Sequence, residues 1–171
     1  MKSAWGLGLL ILVSCGTVWA ETGKAVIRGT AEGSAIAGTA TFTDTPGGLQ
    51  VAVQVTNILP GKHGFHIHQY GSCDDVGKAA GGHYNPDGVK HGFLPTDGFA
   101  GAHAGDLGNL EVGTDGSGKA ELTLPGLRLS GGKYTVGGRA VVLHEQVDDF
   151  SQPTGNAGGR IGCGVIAITG A

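Results

Sequence analysis

A chain of 171 residues is long enough to bury one hydrophobic core but too short for two domains of ordinary size. Its net charge of −3 argues against nucleic-acid binding, which needs a basic face to neutralise phosphates. Glycine occurs 35 times without a strict three-residue repeat, so the composition indicates many tight turns and excludes a collagen-like chain.

The first twenty residues have the pattern of an export signal. Lys2 supplies a minimal positive charge, residues 5–13 form an apolar run too short to span a bilayer, and Val18-Trp19-Ala20 offers small residues for signal peptidase. We therefore predict a signal peptide over residues 1–20 and a single domain over residues 21–171. Such a protein is exported, to the periplasm or to the extracellular space.

Cys15 allows a second interpretation of the same segment. Leu12-Val13-Ser14-Cys15 resembles the bacterial lipobox, in which the cysteine is lipidated and becomes the mature N-terminus. Cleavage after Ala20 would instead discard Cys15 with the signal. Both alternatives give an exported protein. They differ in whether residues 16–23 form a short flexible linker that tethers the domain to a membrane surface.

From Lys24 to Asn57 the sequence has the pattern of β-strands. Residues 39–43 are rich in strand formers, and the apolar residues between positions 49 and 55 alternate with polar or small ones. Thr45-Pro-Gly-Gly marks the turn between these two runs. A second hairpin is predicted around Asp115-Gly-Ser-Gly, between residues 110–112 and 120–124.

Two further short runs, residues 139–144 and 164–169, are dominated by Val, Leu and Ile. No segment shows a convincing helical period. The pattern therefore predicts an all-β domain, a sandwich or flattened barrel of about eight strands.

Residues 69 to about 108 lack this alternation and are rich in glycine, aspartate, proline and histidine. So long a loop in a compact domain needs cross-links or a function to organise it. Cys73 lies inside the loop, and Cys73 and Cys163 are the only cysteines after the signal, so we predict one disulfide in an oxidising compartment. A bound metal would fix the loop further.

Histidines suggest where such a metal binds. The chain has seven of them: His63, His66, His68, His83, His91, His103 and His144. His66 and His68 flank Ile67 in a strand-like stretch, so both imidazoles project from one face. Paired imidazoles suit a borderline metal such as copper or zinc.

The long loop contributes a second group of ligands. His83, His91 and His103, followed by Asp106, offer three imidazoles and one carboxylate. This is a complete tetrahedral set for zinc that leaves no position for substrate, as in structural zinc sites. His144 ends the apolar run of residues 140–143, so a strand can deliver it to the same neighbourhood.

Segments around these histidines and cysteines match a known family. They are Gly61-Lys-His-Gly-Phe-His-Ile-His, Gly71-Ser-Cys, Gly82-His-Tyr-Asn-Pro, Ala102-His-Ala-Gly-Asp-Leu-Gly-Asn, Val142-Leu-His-Glu and Gly155-Asn-Ala-Gly-Gly-Arg-Ile-Gly-Cys-Gly. Together they resemble the copper/zinc superoxide dismutases from about residue 24 onward. The resemblance implies an all-β fold, an eight-stranded Greek-key barrel with long metal-binding and active-site loops.

The same resemblance implies two metal cofactors per subunit. Copper would be bound by His66, His68, His83 and His144. Zinc would be bound by His83, His91, His103 and Asp106. His83 would bridge the two metals as an imidazolate, leave copper when it is reduced, and carry a proton to the substrate. The reaction is dismutation of superoxide to oxygen and hydrogen peroxide, an antioxidant defence outside the cytoplasm.

The resemblance also assigns residues around the metals. Asp148 would link His66 to His91, and Arg160 would bind the superoxide anion beside copper. Thr154 would flank the channel mouth, and His63 would make structural hydrogen bonds without binding metal. A homodimer follows only from the habit of the family, and a membrane contact only from lipidation at Cys15.

One segment departs from the family pattern. Residues 145–159 contain no lysine, whereas many relatives have a longer loop there whose lysine and glutamate are thought to steer superoxide. We therefore expect weaker attraction of the substrate from a distance, whereas chemistry at the metal should survive.

Two other functions compete with a dismutase. Superoxide-dismutase-like copper chaperones typically lack a copper ligand or the arginine, and this chain has all of them. A glycine-rich adhesion module that binds only zinc would leave His144 and Arg160 without a role. Copper content together with activity on superoxide separates the three.

Overall fold

This computed structural model describes residues 20–170 of the chain. Within them it has nine β-strands, one α-helix and one 3₁₀-helix, joined by turns and loops. The strands are β1 (Thr22–Gly29), β2 (Ala37–Thr45), β3 (Gly48–Thr56), β4 (Gly61–His68), β5 (Asp106–Val112), β6 (Gly118–Leu124), β7 (Ala140–His144), β8 (Arg160–Val165) and β9 (Ala167–Gly170). The helices are α1 (Leu94–Gly101) and a single 3₁₀ turn (Lys78–Ala80). Residues 1–19 of the predicted signal peptide, Cys15 among them, lie outside the described residues.

The strands close into a barrel in which all pairs are antiparallel. Its order is β2-β3-β6-β5-β4-β7-β8-β1, and β1 pairs back onto β2. Beyond Ile166, β9 continues the path of β8 and also pairs with β1, so the two occupy one of eight barrel positions. Because β7 returns to lie beside β4, the order β7-β4-β5-β6 is a Greek key. The predicted eight-stranded all-β fold is confirmed.

Alternation along the strands builds the core inside the barrel. In β1, Ala25 and Ile27 are buried while Lys24, Val26 and Arg28 are exposed. The predicted turns are also confirmed: β2 and β3 are joined at Thr45–Gly48, and β5 and β6 flank Asp115.

Helix α1 lies in the long loop, where no helix was predicted. It has only eight residues, and non-helical Gly98 (φ 62°, ψ −178°) interrupts it. Of its side chains only Leu94 is buried, so it has no apolar stripe that a sequence pattern could reveal. No helix within residues 20–170 has the length and apolarity needed to cross a bilayer.

A disulfide attaches the long loop to the outside of the barrel. Cys73 is bonded to Cys163 of β8, as predicted. Cys163 packs in a small outer cluster with Ala80, Ala140 and Val142. The bond closes a separation of 90 residues, for which the chain-entropy model gives a stabilisation of about 4–5 kcal/mol.

Candidate metal centre

Strands β4 and β7 carry three of the predicted ligands on the outer face of the barrel. Phe65 and Ile67 point into the core, so His66 and His68 point outward. On the neighbouring strand, His144 ends β7 and is also buried, at 5% exposure. The loops cover this face, so that histidines on the outside of a barrel are nevertheless shielded from water.

The long loop brings His83 to the same place by main-chain contacts. His83 forms an isolated bridge with His68, and Tyr84 N–H donates to Ile67 C=O at 2.9 Å. Gly105 N–H donates to Tyr84 C=O, and Ile67 N–H donates to Gly105 C=O. These bonds hold the loop against β4 where the β4–β5 register shifts, between Gly64 and His66.

Four imidazoles form the copper site. Ligand atoms of His66, His68, His83 and His144 all lie within 4.8 Å of one another. His68 Nδ1 donates to Gly81 C=O at 2.9 Å, which leaves its Nε2 3.2 Å from His144 Nε2. Four nitrogen ligands suit Cu(II), and imidazole also tolerates Cu(I).

Three imidazoles and a carboxylate form the zinc site. Its members are His83, His91, His103 and Asp106. Oδ1 of Asp106 lies 2.8 Å from His83 Nδ1 and 3.1 Å from His103 Nδ1, and Oδ2 lies 2.9 Å from His91 Nδ1. His83 is common to both sites and presents Nδ1 to the zinc site, which leaves Nε2 for copper.

Two buried nitrogens support occupation of both sites by metal. Nδ1 of His66 and Nδ1 of His91 have no hydrogen-bond partner, although both are inaccessible to water. His91 Nδ1 is near Asp106 Oδ2 but is not aligned for a hydrogen bond. A buried unsatisfied nitrogen costs about 1–3 kcal/mol. Copper bound at His66 and zinc bound at His91 would satisfy both nitrogens, so the residues fit the two ions.

Asp148 connects the two sites, in the place that the family resemblance implies. Its Oδ2 accepts from His66 Nε2 at 2.8 Å, and its Oδ1 accepts from His91 Nε2 at 2.9 Å. Fixing Nε2 in both rings turns Nδ1 of each ring toward a metal. Burial alone would raise the pKa of Asp148, but the hydrogen bonds from His66 and His91 hold it well below its usual value.

Burial favours the neutral imidazole at three of the copper ligands. Burial lowers the pKa of His68 to about 2, of His144 to about 3 and of His83 to about 4. These three rings are therefore uncharged at neutral pH, with one nitrogen of each free to bind a metal.

At the zinc site, the pKa of one ligand, His91, is raised and not lowered. Burial opposes charge on His91, but the carboxylates of Asp106 and Asp148 outweigh it and raise its pKa to about 9. Zinc binding at neutral pH must therefore displace a proton from His91. Burial would raise the pKa of Asp106, but the hydrogen bonds from His103 and His83, together with the nearby His91 ring, lower it strongly.

Arg160 lies beside the copper ligands. Its two terminal nitrogens donate to the main-chain carbonyls of Gly77 and Gly81, each at 2.6 Å. Arg160 lines a cavity of about 500 Å³ together with Thr154. The other lining residues are His68, Gly82, His83, His144, Gln146, Asn156, Ala157 and Gly158.

His63 lies near the site but belongs to neither metal group. Its Nδ1 and Nε2 lie 2.9 Å from the main-chain oxygens of His144 and Leu59, which fits the structural role predicted for it. Contacts of Phe150 and Gln152 with His91 were not predicted. A phenylalanine and a glutamine in an irregular loop form no motif that indicates such contacts.

Comparisons with known proteins agree with this geometry. The family model described as copper/zinc superoxide dismutase (SODC) matches residues 36–166, which include both sets of metal ligands, Asp148, Arg160 and the two bonded cysteines. Among solved structures, a crystal structure of the clock protein EA4 is similar to this chain, with 37% sequence identity and a TM-score of 0.77. The similarity covers 90% of this chain and 98% of that one.

Proposed function

This chain belongs to the copper/zinc superoxide dismutase family, and on that premise we propose that it is an exported enzyme in which Arg160 binds the substrate anion and His83 carries a proton. The dismutase function follows from the family and from the two intact metal sites. In the reaction one superoxide is oxidised to oxygen, and a second takes up one electron and two protons to give hydrogen peroxide. Copper supplies the redox cycle when it is bound.

Arg160 is suited to a small anion. Because Gly77 and Gly81 each accept one bond, the guanidinium is held in place with donors left over. It shares a cavity with three copper ligands, so an anion bound to it lies beside the metal. A planar guanidinium offers paired donors and a permanent charge.

His83 is suited to proton transfer because its two nitrogens have different partners. Nδ1 is fixed at Asp106 Oδ1, 2.8 Å away, and Nε2 belongs to the copper side. The ring thus stays in place when Nε2 changes its partner, and Nε2 can hold a proton facing the cavity that Arg160 lines. General acid catalysis requires this combination of reach and fixed orientation.

Substitution of Arg160 tests the substrate role. We expect Arg160→Ala to lower the second-order rate with superoxide about tenfold or more, since one charge-assisted contact contributes about 1.5–3 kcal/mol. Arg128→Ala removes an equal charge from an exposed position that does not line this cavity, and it serves as the control. Pulse radiolysis at fixed metal content gives the rates. Equal rates for the two variants would exclude Arg160 from substrate binding.

Export is supported by the sequence of residues 1–20 and by the disulfide between Cys73 and Cys163, a bond typical of oxidising compartments. Mass spectrometry of the mature N-terminus from fractionated host cells tests it. A soluble protein beginning at Glu21 indicates cleavage after Ala20, and a detergent-extracted protein beginning at a modified Cys15 indicates lipidation. An unprocessed protein in the cytoplasm would contradict export altogether.

A homodimer is the assembly that the family favours, and exposed apolar side chains on the outer face of the barrel support it. Val26 and Val165, on paired strands β1 and β8, are 51% and 40% exposed. A second copy of the chain would bury these side chains. Analytical ultracentrifugation decides, because a monomer at all concentrations excludes the dimer.

A further inference from the structure

The short loop after β7 contacts the zinc ligand His91 at three points. Asp148 Oδ1 accepts from its ring Nε2 at 2.9 Å. The ring of Phe150 lies nearly parallel to the imidazole, with centroids 6.2 Å apart and planes 19° apart. Gln152 bonds to the main chain, where its Oε1 accepts from His91 N–H at 3.0 Å and its Nε2 donates to His91 C=O at 2.9 Å.

The two bonds to Gln152 satisfy the main chain of His91. His91 is 2% exposed and lies outside any helix or strand, so a buried N–H and C=O need partners from elsewhere. The carboxamide of Gln152 provides an acceptor and a donor at once, as a neighbouring strand would. Both bonds must be broken before the main chain of His91 can turn.

The other zinc ligands are positioned differently. Asp106 begins strand β5, and His83 forms a bridge with His68 next to the main-chain bonds of Tyr84. His103 N–H donates to Asp106 Oδ2 at 2.9 Å, three residues along the chain. His91 alone among the four is held through its main chain by a side chain from a distant loop.

A glycine allows the loop to return so closely. Gly155 has φ 73°, and a Cβ at this position would overlap Asp148 Oδ1 and lie 2.7 Å from His91 Nε2. Its N–H donates to Ser151 C=O at 2.7 Å, which closes the turn that carries Gln152. The loop can therefore lie directly on the zinc ligand.

From these contacts we infer that Gln152 is a positioning residue for zinc. By fixing the main chain of His91, it keeps Nδ1 at the zinc site, 2.9 Å from Asp106 Oδ2, while Asp148 fixes the ring. The short loop thus stabilises the zinc site. This inference rests on the zinc site of the family and is independent of export and of the role of Arg160.

Zinc release from the copper,zinc holoenzyme tests the inference. In Gln152→Ala we expect zinc transfer to a colorimetric chelator to be about tenfold faster, at the lower end of the effect of residues that support a metal ligand. The copper EPR spectrum should match that of the unmodified enzyme while zinc is still bound. Gln54→Ala removes the same side chain from an exposed position of β3 and should release zinc at the unmodified rate.

Thermal melting separates positioning from a general structural role. If Gln152 acts on zinc, the increase in Tm on going from the metal-free to the holo form is smaller in Gln152→Ala than in Gln54→Ala. If Gln152→Ala lowers the Tm of the metal-free form and of the holo form equally, the side chain only supports the loop. That result would overturn the inference. Unchanged zinc release in Gln152→Ala would overturn it as well.

Discussion

His144→Ala should abolish copper binding and dismutase activity while zinc remains bound. His144 ends β7 and supplies one of the four copper nitrogens, but it lies outside the zinc group. The zinc ligand atoms are held together around Asp106, which the substitution does not touch. We expect activity to fall more than about 100-fold, beyond the effect of losing a residue that merely supports a ligand.

Metal analysis of purified His144→Ala provides the measurement. Copper should be nearly absent and zinc should stay near one per chain, with the fold preserved because the side chain lies outside the barrel core. Loss of zinc in parallel with copper would show that the division of ligands between the two sites is wrong.

Asp106→Ala should give the complementary result and release zinc first. Asp106 is fully buried, and its carboxylate contacts His83, His91 and His103. It also accepts from the main-chain N–H groups of Gly92 and His103, at 3.0 and 2.9 Å. Removing it takes one zinc ligand and two anchors of the loop, so we expect zinc affinity to fall more than about 100-fold and the loop to loosen.

Hydrogen exchange and zinc titration of Asp106→Ala test this expectation. The main-chain amides of Gly92 and His103 should lose protection, while those of β2 and β3 in the opposite part of the barrel keep it. Asp106→Asn keeps the size of the side chain and one acceptor oxygen. Its loop should be more ordered than that of Asp106→Ala, but its zinc affinity should also be low. Unchanged zinc affinity in Asp106→Ala would refute the assignment of Asp106 as a ligand.

Part of the metal centre could be predicted from residue spacing. Alternation in β4 places His66 and His68 on one face, and this follows from strand geometry alone, without the family resemblance. The zinc ligands could be grouped by composition, but their meeting with His66 and His68 in space could not be derived, because residues 69–108 have no periodicity. That step came from the family resemblance, and the positions of the ligands confirm it.

Contacts made by irregular segments were the hardest to predict. Helix α1 is too short, and too disrupted by Gly98, to have a readable pattern. The bonds between Gln152 and His91 join residues 61 positions apart, and they depend on a turn that only the folded loop defines. Barrel strands alternate buried and exposed residues, and this alternation can be read from the sequence. A loop is held by individual contacts that have no sequence pattern.

This chain dismutes superoxide at copper bound by four histidines and coupled to zinc through His83. The most direct test measures metal content and dismutase activity on one preparation as copper is removed and then restored. We expect about one copper and one zinc per chain, with activity that disappears with copper and returns in proportion to it. A protein that retains zinc, binds no copper and leaves superoxide untouched would contradict a dismutase function.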